Sequence, residues 1–187
     1  SIDYQPEGVL GFPVGTVIPK SFLFPSDFRH PEEDLRLIET RLLIRGEDGW
    51  SGWPYIWDEA GTDAVLDVTG EVLEIGFLDI EGTARVSNYL IPQRNQCVEC
   101  HEIRKTDGSR EMTLIGPKAR WLNRDFDYGE GAENQLTHLA ALGMLSGLPA
   151  LADVPTATDF VAVAAQVRSE GVETLTPETR DQAARDY

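Results

Sequence analysis

Two cysteines, two methionines and three histidines are the only sulfur and imidazole side chains in this 187-residue chain. That is too few cysteines for a disulfide-built scaffold, which relies on several bridges. Long hydrophobic runs are also missing. A stretch such as Leu139-Ala-Ala-Leu-Gly-Met-Leu145 falls far short of the roughly 20 residues a membrane helix needs, so the chain is not expected to span a bilayer. Positive charge is scarce: 16 Lys and Arg stand against 32 Asp and Glu, a net charge of −16. Such a chain repels phosphate backbones, which excludes nucleic acid as a partner. There is no G-x-G-x-x-G, phosphate loop, nucleophile elbow or internal repeat. Asp58-Glu59, with Asp63 nearby, lacks the ligand spacing of a calcium loop and reads as an acidic turn.

Against this background the scarce residues are concentrated. Both cysteines and one histidine fall in Cys97-Val98-Glu99-Cys100-His101, the C-x-x-C-H pattern of covalent haem attachment. Random shuffling would give this arrangement in roughly two of ten thousand chains. Two thiols three residues apart reach the two vinyl groups on one edge of a porphyrin, and an adjacent imidazole can ligate iron in either oxidation state. A zinc site generally needs four protein ligands, with only His30 and His138 left to help supply them. A redox dithiol needs a βαβ setting, and no βαβ pattern is visible. The chain is thus expected to carry one haem c on Cys97, Cys100 and His101.

The surroundings divide near Pro92. Residues 1–92 alternate in short β-branched and aromatic runs: Thr16–Ile18, Leu35–Arg45, Trp53–Trp57, Ala64–Val68, Val72–Phe77 and Ala84–Ile91. Acidic and glycine turns separate them, as at Gly46-Glu-Asp-Gly49. This predicts an antiparallel β-sandwich or barrel-like region. Residues 93–187 read as a mainly helical module, the whole being α+β. Helices are expected over Ala132–Leu145, Asp159–Ser169 and from Thr176-Pro177-Glu178 onward, with Thr176 as cap.

Charge is also uneven. Residues 1–92 hold 17 acids and 6 bases, whereas residues 93–124 hold 4 acids and 7 bases. The bases around the motif suit either haem propionates and an acidic redox partner or ordinary solvated loops. Trp50, Trp53, Tyr55 and Trp57 crowd one strand, either as cross-strand packing or as a binding platform.

From Cys97 to Pro149 the chain resembles the cytochrome c superfamily, on C-x-x-C-H followed by Ile115-Gly-Pro-Lys-Ala-Arg-Trp-Leu122. More widely it resembles a largely uncharacterised family of bacterial periplasmic haem-c, dihaem cytochrome-like proteins. That likeness rests on Phe12–Ile18, Leu37–Leu43, Gly49–Ala64, Ile91–His101, Ile115–Asn123 and Asn134–Leu136. The resemblance implies a proximal ligand at His101 oriented by the Pro117 carbonyl. It also implies a distal ligand at Met144, 43 residues further on; His138, Met112, His30, a ligand outside the chain or an open iron site are the alternatives. Family members continue past a segment like Ala184-Arg-Asp-Tyr187 into a second C-x-x-C-H domain, so this chain is expected to be part of a longer polypeptide.

The function expected is one-electron transfer in the periplasm to redox partner proteins, after export and removal of a leader. Catalysis is the less favoured expectation. An accessory subunit of a larger redox or membrane-associated assembly and a peroxidase-like enzyme with an open iron site are the alternative functions.

Overall fold

The computed structural model describes residues 1–158, 163, 166–169 and 175–179. The expected helix over Asp159–Ser169 lies largely outside the described residues. At Thr176 the side chain accepts the Thr179 N–H at 3.2 Å, the capping contact anticipated for that position.

The chain forms two compact units, one of residues 1–12 with 115–187 and one of residues 13–114. The division therefore differs from the boundary expected near residue 92, and Cys97–His101 belongs to the unit that holds most of the strands. The first unit begins with β1 (Ile2–Asp3).

In the second unit, β2 (Val17–Pro25), β3 (Leu35–Gly46), β4 (Gly49–Trp57) and β5 (Ala64–Leu66) form an antiparallel sheet in sequence order. Alternating β-branched and polar residues suit its pleat. The Glu47-Asp48 turn closes β3 onto β4 with Gly46 opposite Gly49. β6 (Glu71–Leu78) and β7 (Ala84–Ile91) form a separate hairpin. A 3₁₀ turn at Arg94–Gln96 leads into α1 (Cys97–Cys100), followed by the short hairpin of β8 (Glu102–Arg104) and β9 (Arg110–Met112).

The register between β2 and β3 shifts after Phe22, leaving Ile38 as the extra residue of a bulge. A bulge breaks the alternation of faces, and Ile38 and Glu39 are consecutively buried. Ile38, Ile75 and Ile91 form this unit's core, joined by Phe24, Ile56, Leu73 and Tyr89.

The first unit resumes with α2 (Ala119–Leu122), the hairpin of β10 (Asp125–Asp127) and β11 (Ala132–Asn134), α3 (Gln135–Ala141) and β12 (Leu145–Ser146), which pairs in parallel with β1. Its core is Leu10, Ala119, Leu136, Leu145 and Val154.

The mainly helical module expected from residue 93 is not what forms. Over the described residues of the whole chain strand outweighs helix, in small sheets, and the helices α1, α2 and α3 are only 4, 4 and 7 residues long. The anticipated Ala132–Leu145 helix is reduced to Gln135–Ala141. Residues 132–134 pair as β11 instead, and Asn134 caps the helix by accepting the Leu136 N–H. At the other end Gly143 takes a φ of 69°, a left-handed conformation that stops a helix. No described helix is long and apolar enough to cross a membrane.

Candidate functional site

The motif is placed by what precedes it. Ile91 ends β7 in the core, and Gln93 caps the next turn by donating its N–H to the Gln96 side chain at 3.0 Å. The Arg94 N–H donates to the Val68 carbonyl at 3.0 Å, and its guanidinium donates to the Gly52 carbonyl while stacking on Trp53, 3.8 Å from the ring centroid. Two glycines make room. A Cβ on Gly70, whose φ is 77°, would stand 2.6 Å from the Gln93 nitrogen, and one on Gly52 would stand 2.8 Å from the Cys97 sulfur. Gly70, with its left-handed φ and backbone neighbours, needs glycine, whereas a side chain at Gly52 would displace the Cys97 sulfur.

Cys97 and Cys100 occupy one helical turn; both are free, Cys97 partly buried and Cys100 exposed. The His101 N–H donates to the Cys97 carbonyl, and the His101 carbonyl accepts the Thr113 N–H. Its ring Nδ1 lies 3.0 Å from the Thr113 carbonyl oxygen. A carbonyl can only accept, so Nδ1 carries the proton and Nε2 is left with its lone pair for a metal.

Thr113 thus makes the contact that the resemblance implies for Pro117. The Pro117 carbonyl accepts the Leu10 N–H at 2.9 Å within the first unit. Met144 also belongs to the first unit, in the turn between α3 and β12 rather than on a helix. It is 46% exposed, with its backbone bonded to Leu139 and Ile2. His138 stacks on Tyr128 at 3.8 Å and pairs with Glu133. Met112, on β9, lines a separate cleft with Trp50, Arg94 and Val98. His30 is held in a turn, its N–H donating to the Asp27 carbonyl.

Cys97, Cys100 and His101 line a cleft of about 250 Å³, slightly under the usual range of ligand pockets, about 300–1,000 Å³. Its other wall comes from one face of the four-stranded sheet: Lys20 and Phe22 of β2, Arg41 and Leu43 of β3, and Gly52 and Pro54 of β4. Strand register explains the grouping, since Lys20 stands opposite Arg41 and Arg41 opposite Pro54, while Leu43 stands opposite Gly52. Leu90 and Pro92 complete an apolar rim.

Beneath the cations lies Glu39, whose side chain is fully buried. It accepts Arg41 through Nε at 2.8 Å and Nη2 at 2.6 Å, and Tyr89 donates to it at 2.9 Å. Burial, together with that hydrogen bond to Glu39, pushes the Tyr89 hydroxyl up to about 12. Burial likewise pushes the Cys97 thiol up, although the Arg41 guanidinium pulls the other way. An activated dithiol requires a lowered thiol pKa, so this direction disfavours the redox-dithiol alternative. Among the described residues, no group of three or more His, Cys, Asp and Glu is placed to hold a metal ion.

Glu39, Lys20, Arg41, Tyr89 and Thr113 were not singled out from the sequence. The available signal was Glu39 and Arg41 two apart on one predicted strand: opposite charges on the same face. The basic stretch of residues 93–124 is largely occupied elsewhere. Lys105 pairs with Glu111, Arg110 with Glu102, and Arg120 with Glu7, while Lys118 lies over Trp121.

The donor set fits a thioether-linked haem: two thiols on one turn, an imidazole of fixed tautomer, and an apolar wall carrying two cations. In comparisons with known proteins, no protein-family model, curated protein or solved structure matches the chain.

Proposed function

We propose that this protein is a c-type cytochrome that transfers single electrons through one covalently attached haem. The observation that carries the proposal is the joint placement of Cys97, Cys100 and His101 on one cleft, with Nδ1 of His101 bonded to the Thr113 carbonyl. Each thiol adds across a vinyl double bond: sulfur bonds one carbon, the hydrogen goes to the other, and no oxidant is consumed. His101 offers Nε2 to the iron, and the Thr113 carbonyl raises its basicity. The cofactor supplies the one-electron couple. Leu43, Pro54 and Pro92 give the cleft an apolar wall, which favours electron exchange over ligand chemistry. The reading places the protein in the bacterial periplasm, where such attachment occurs, with protein redox partners.

The test is expression with export and haem maturation, followed by oxidised and reduced absorption spectra and a pyridine haemochrome assay. One c-type haem per chain is expected, lost in Cys97→Ala/Cys100→Ala. A colourless protein from a maturation-competent host overturns the proposal. The resemblance assigns the distal position to Met144. Met144→Leu should then remove the charge-transfer band of methionine-ligated ferric haem, and an unchanged band reassigns it. Rapid cyanide binding by the wild-type ferric protein would favour the open-site, peroxidase-like reading instead.

A further inference from the structure

The cleft has two chemically different ends. One holds the Cys97 sulfur, packed against Gly52 on β4. The other holds Lys20 and Arg41, both set over the Phe22 ring, at 5.0 and 4.4 Å from its centroid. Strand geometry gives their separation. Lys20 is two strands across and two residues along from Gly52; at about 4.8 Å between strands and 3.4 Å per residue, the backbone separation is about 12 Å. Arg41, one strand across, is about 8 Å away by the same geometry.

We propose that Lys20 and Arg41 form the receiving site for a carboxylate of the bound cofactor, a tetrapyrrole propionate on the edge opposite the thioethers. This inference rests on the haem reading above. Lys20 and Arg41 line the same cleft as the cysteines, away from the Gly52 end where the Cys97 sulfur sits, so the far edge of a flat macrocycle fixed at the thiols would face them. Lys20 and Arg41 belong to β2 and β3, in the acid-rich part of the chain, so their convergence on the cleft is a product of the sheet.

The two cations have different duties. Arg41 is held bidentately by buried Glu39, which fixes its direction but takes up most of its charge. Lys20 appears in no ion pair among the described residues, so it supplies the net positive charge. The other ionisable groups lining the cleft are Glu99, Cys97, Cys100 and His101, with Glu39 and Tyr89 behind Arg41 and Arg94 stacked on Trp53. Arg94 is the other cation here, but its guanidinium is bound to the Gly52 carbonyl at the sulfur end of the cleft, so it does not replace Lys20 at the far end.

The experiment is a redox titration of the haem-loaded protein from pH 5 to 8, in wild type, Lys20→Gln and Lys20→Glu. Wild type should show a level midpoint potential, its propionate remaining ionised throughout. In Lys20→Gln the potential should acquire a slope on the acid side, its apparent ionisation moving up by about one pH unit, and further in Lys20→Glu. Unchanged haem content and thermal midpoint in the variants would show that the effect is local. Variants that load haem and keep the level profile overturn this inference alone. A wild-type protein without haem overturns the haem reading and this inference with it.

Discussion

At the scale of single residues, the Glu39, Arg41 and Tyr89 group carries the sharpest expectations. Glu39 is buried, with three hydrogen bonds from two partners. Removing one member of a buried charge pair strands the other and costs about 3–5 kcal/mol. Glu39→Ala should therefore lower stability by about 3 kcal/mol in denaturant melts; a loss under about 1 kcal/mol would show that the pair is solvated. Tyr89 holds its proton to about pH 12 in the folded chain, against an ordinary value of 10.0. The stability this supplies is complete below pH 10 and is lost as the pH rises through 12. Tyr89→Phe, which cannot ionise, should flatten the fall in stability over that window while costing about 1 kcal/mol at neutral pH. Melting points across the alkaline range decide it, and parallel curves for the two proteins would refute it.

At the scale of elements, the turn into α1 depends on close approach. Gly70 combines a left-handed φ with a Cβ clash against the backbone of residues 91–93. Gly76, in β6, has a strand conformation and open space around its Cβ position. Gly70→Ala should cost about 2–3 kcal/mol and, on the proposed haem reading, reduce haem loading, because the strain falls on the segment that delivers Cys97. Gly76→Ala should stay within about 0.5 kcal/mol. Equal costs for the two would mean that the approach at Gly70 relaxes freely. The strands around this turn were legible as alternation: Leu35–Arg45, Val72–Phe77 and Ala84–Ile91 lie within β3, β6 and β7. The helix predicted over Ala132–Leu145 shortens to Gln135–Ala141, because apolar spacing alone does not register Asn134 as a cap or Gly143 as a stop.

At the scale of the whole molecule, a net charge of −16 makes the folded chain repel itself. Added salt screens that repulsion, the Debye length falling from about 30 Å at 0.01 M to about 8 Å at 0.15 M. The thermal midpoint should rise over that interval, and a fall would mean that paired charges such as Asp27 with Arg29 outweigh the net repulsion.

By itself the sequence determined that Cys97, Cys100 and His101 stand together, because they are local and one helical turn ending at His101 groups them whatever surrounds them. Only the tertiary structure decided what faces them. Lys20 and Arg41 reach the cleft through strand register, Glu39 is buried by the bulge at Ile38, and Thr113 rather than Pro117 meets His101 because β9 returns antiparallel to β8. Those contacts depend on pairing between distant segments, and residue order along the chain does not encode that pairing in any local pattern.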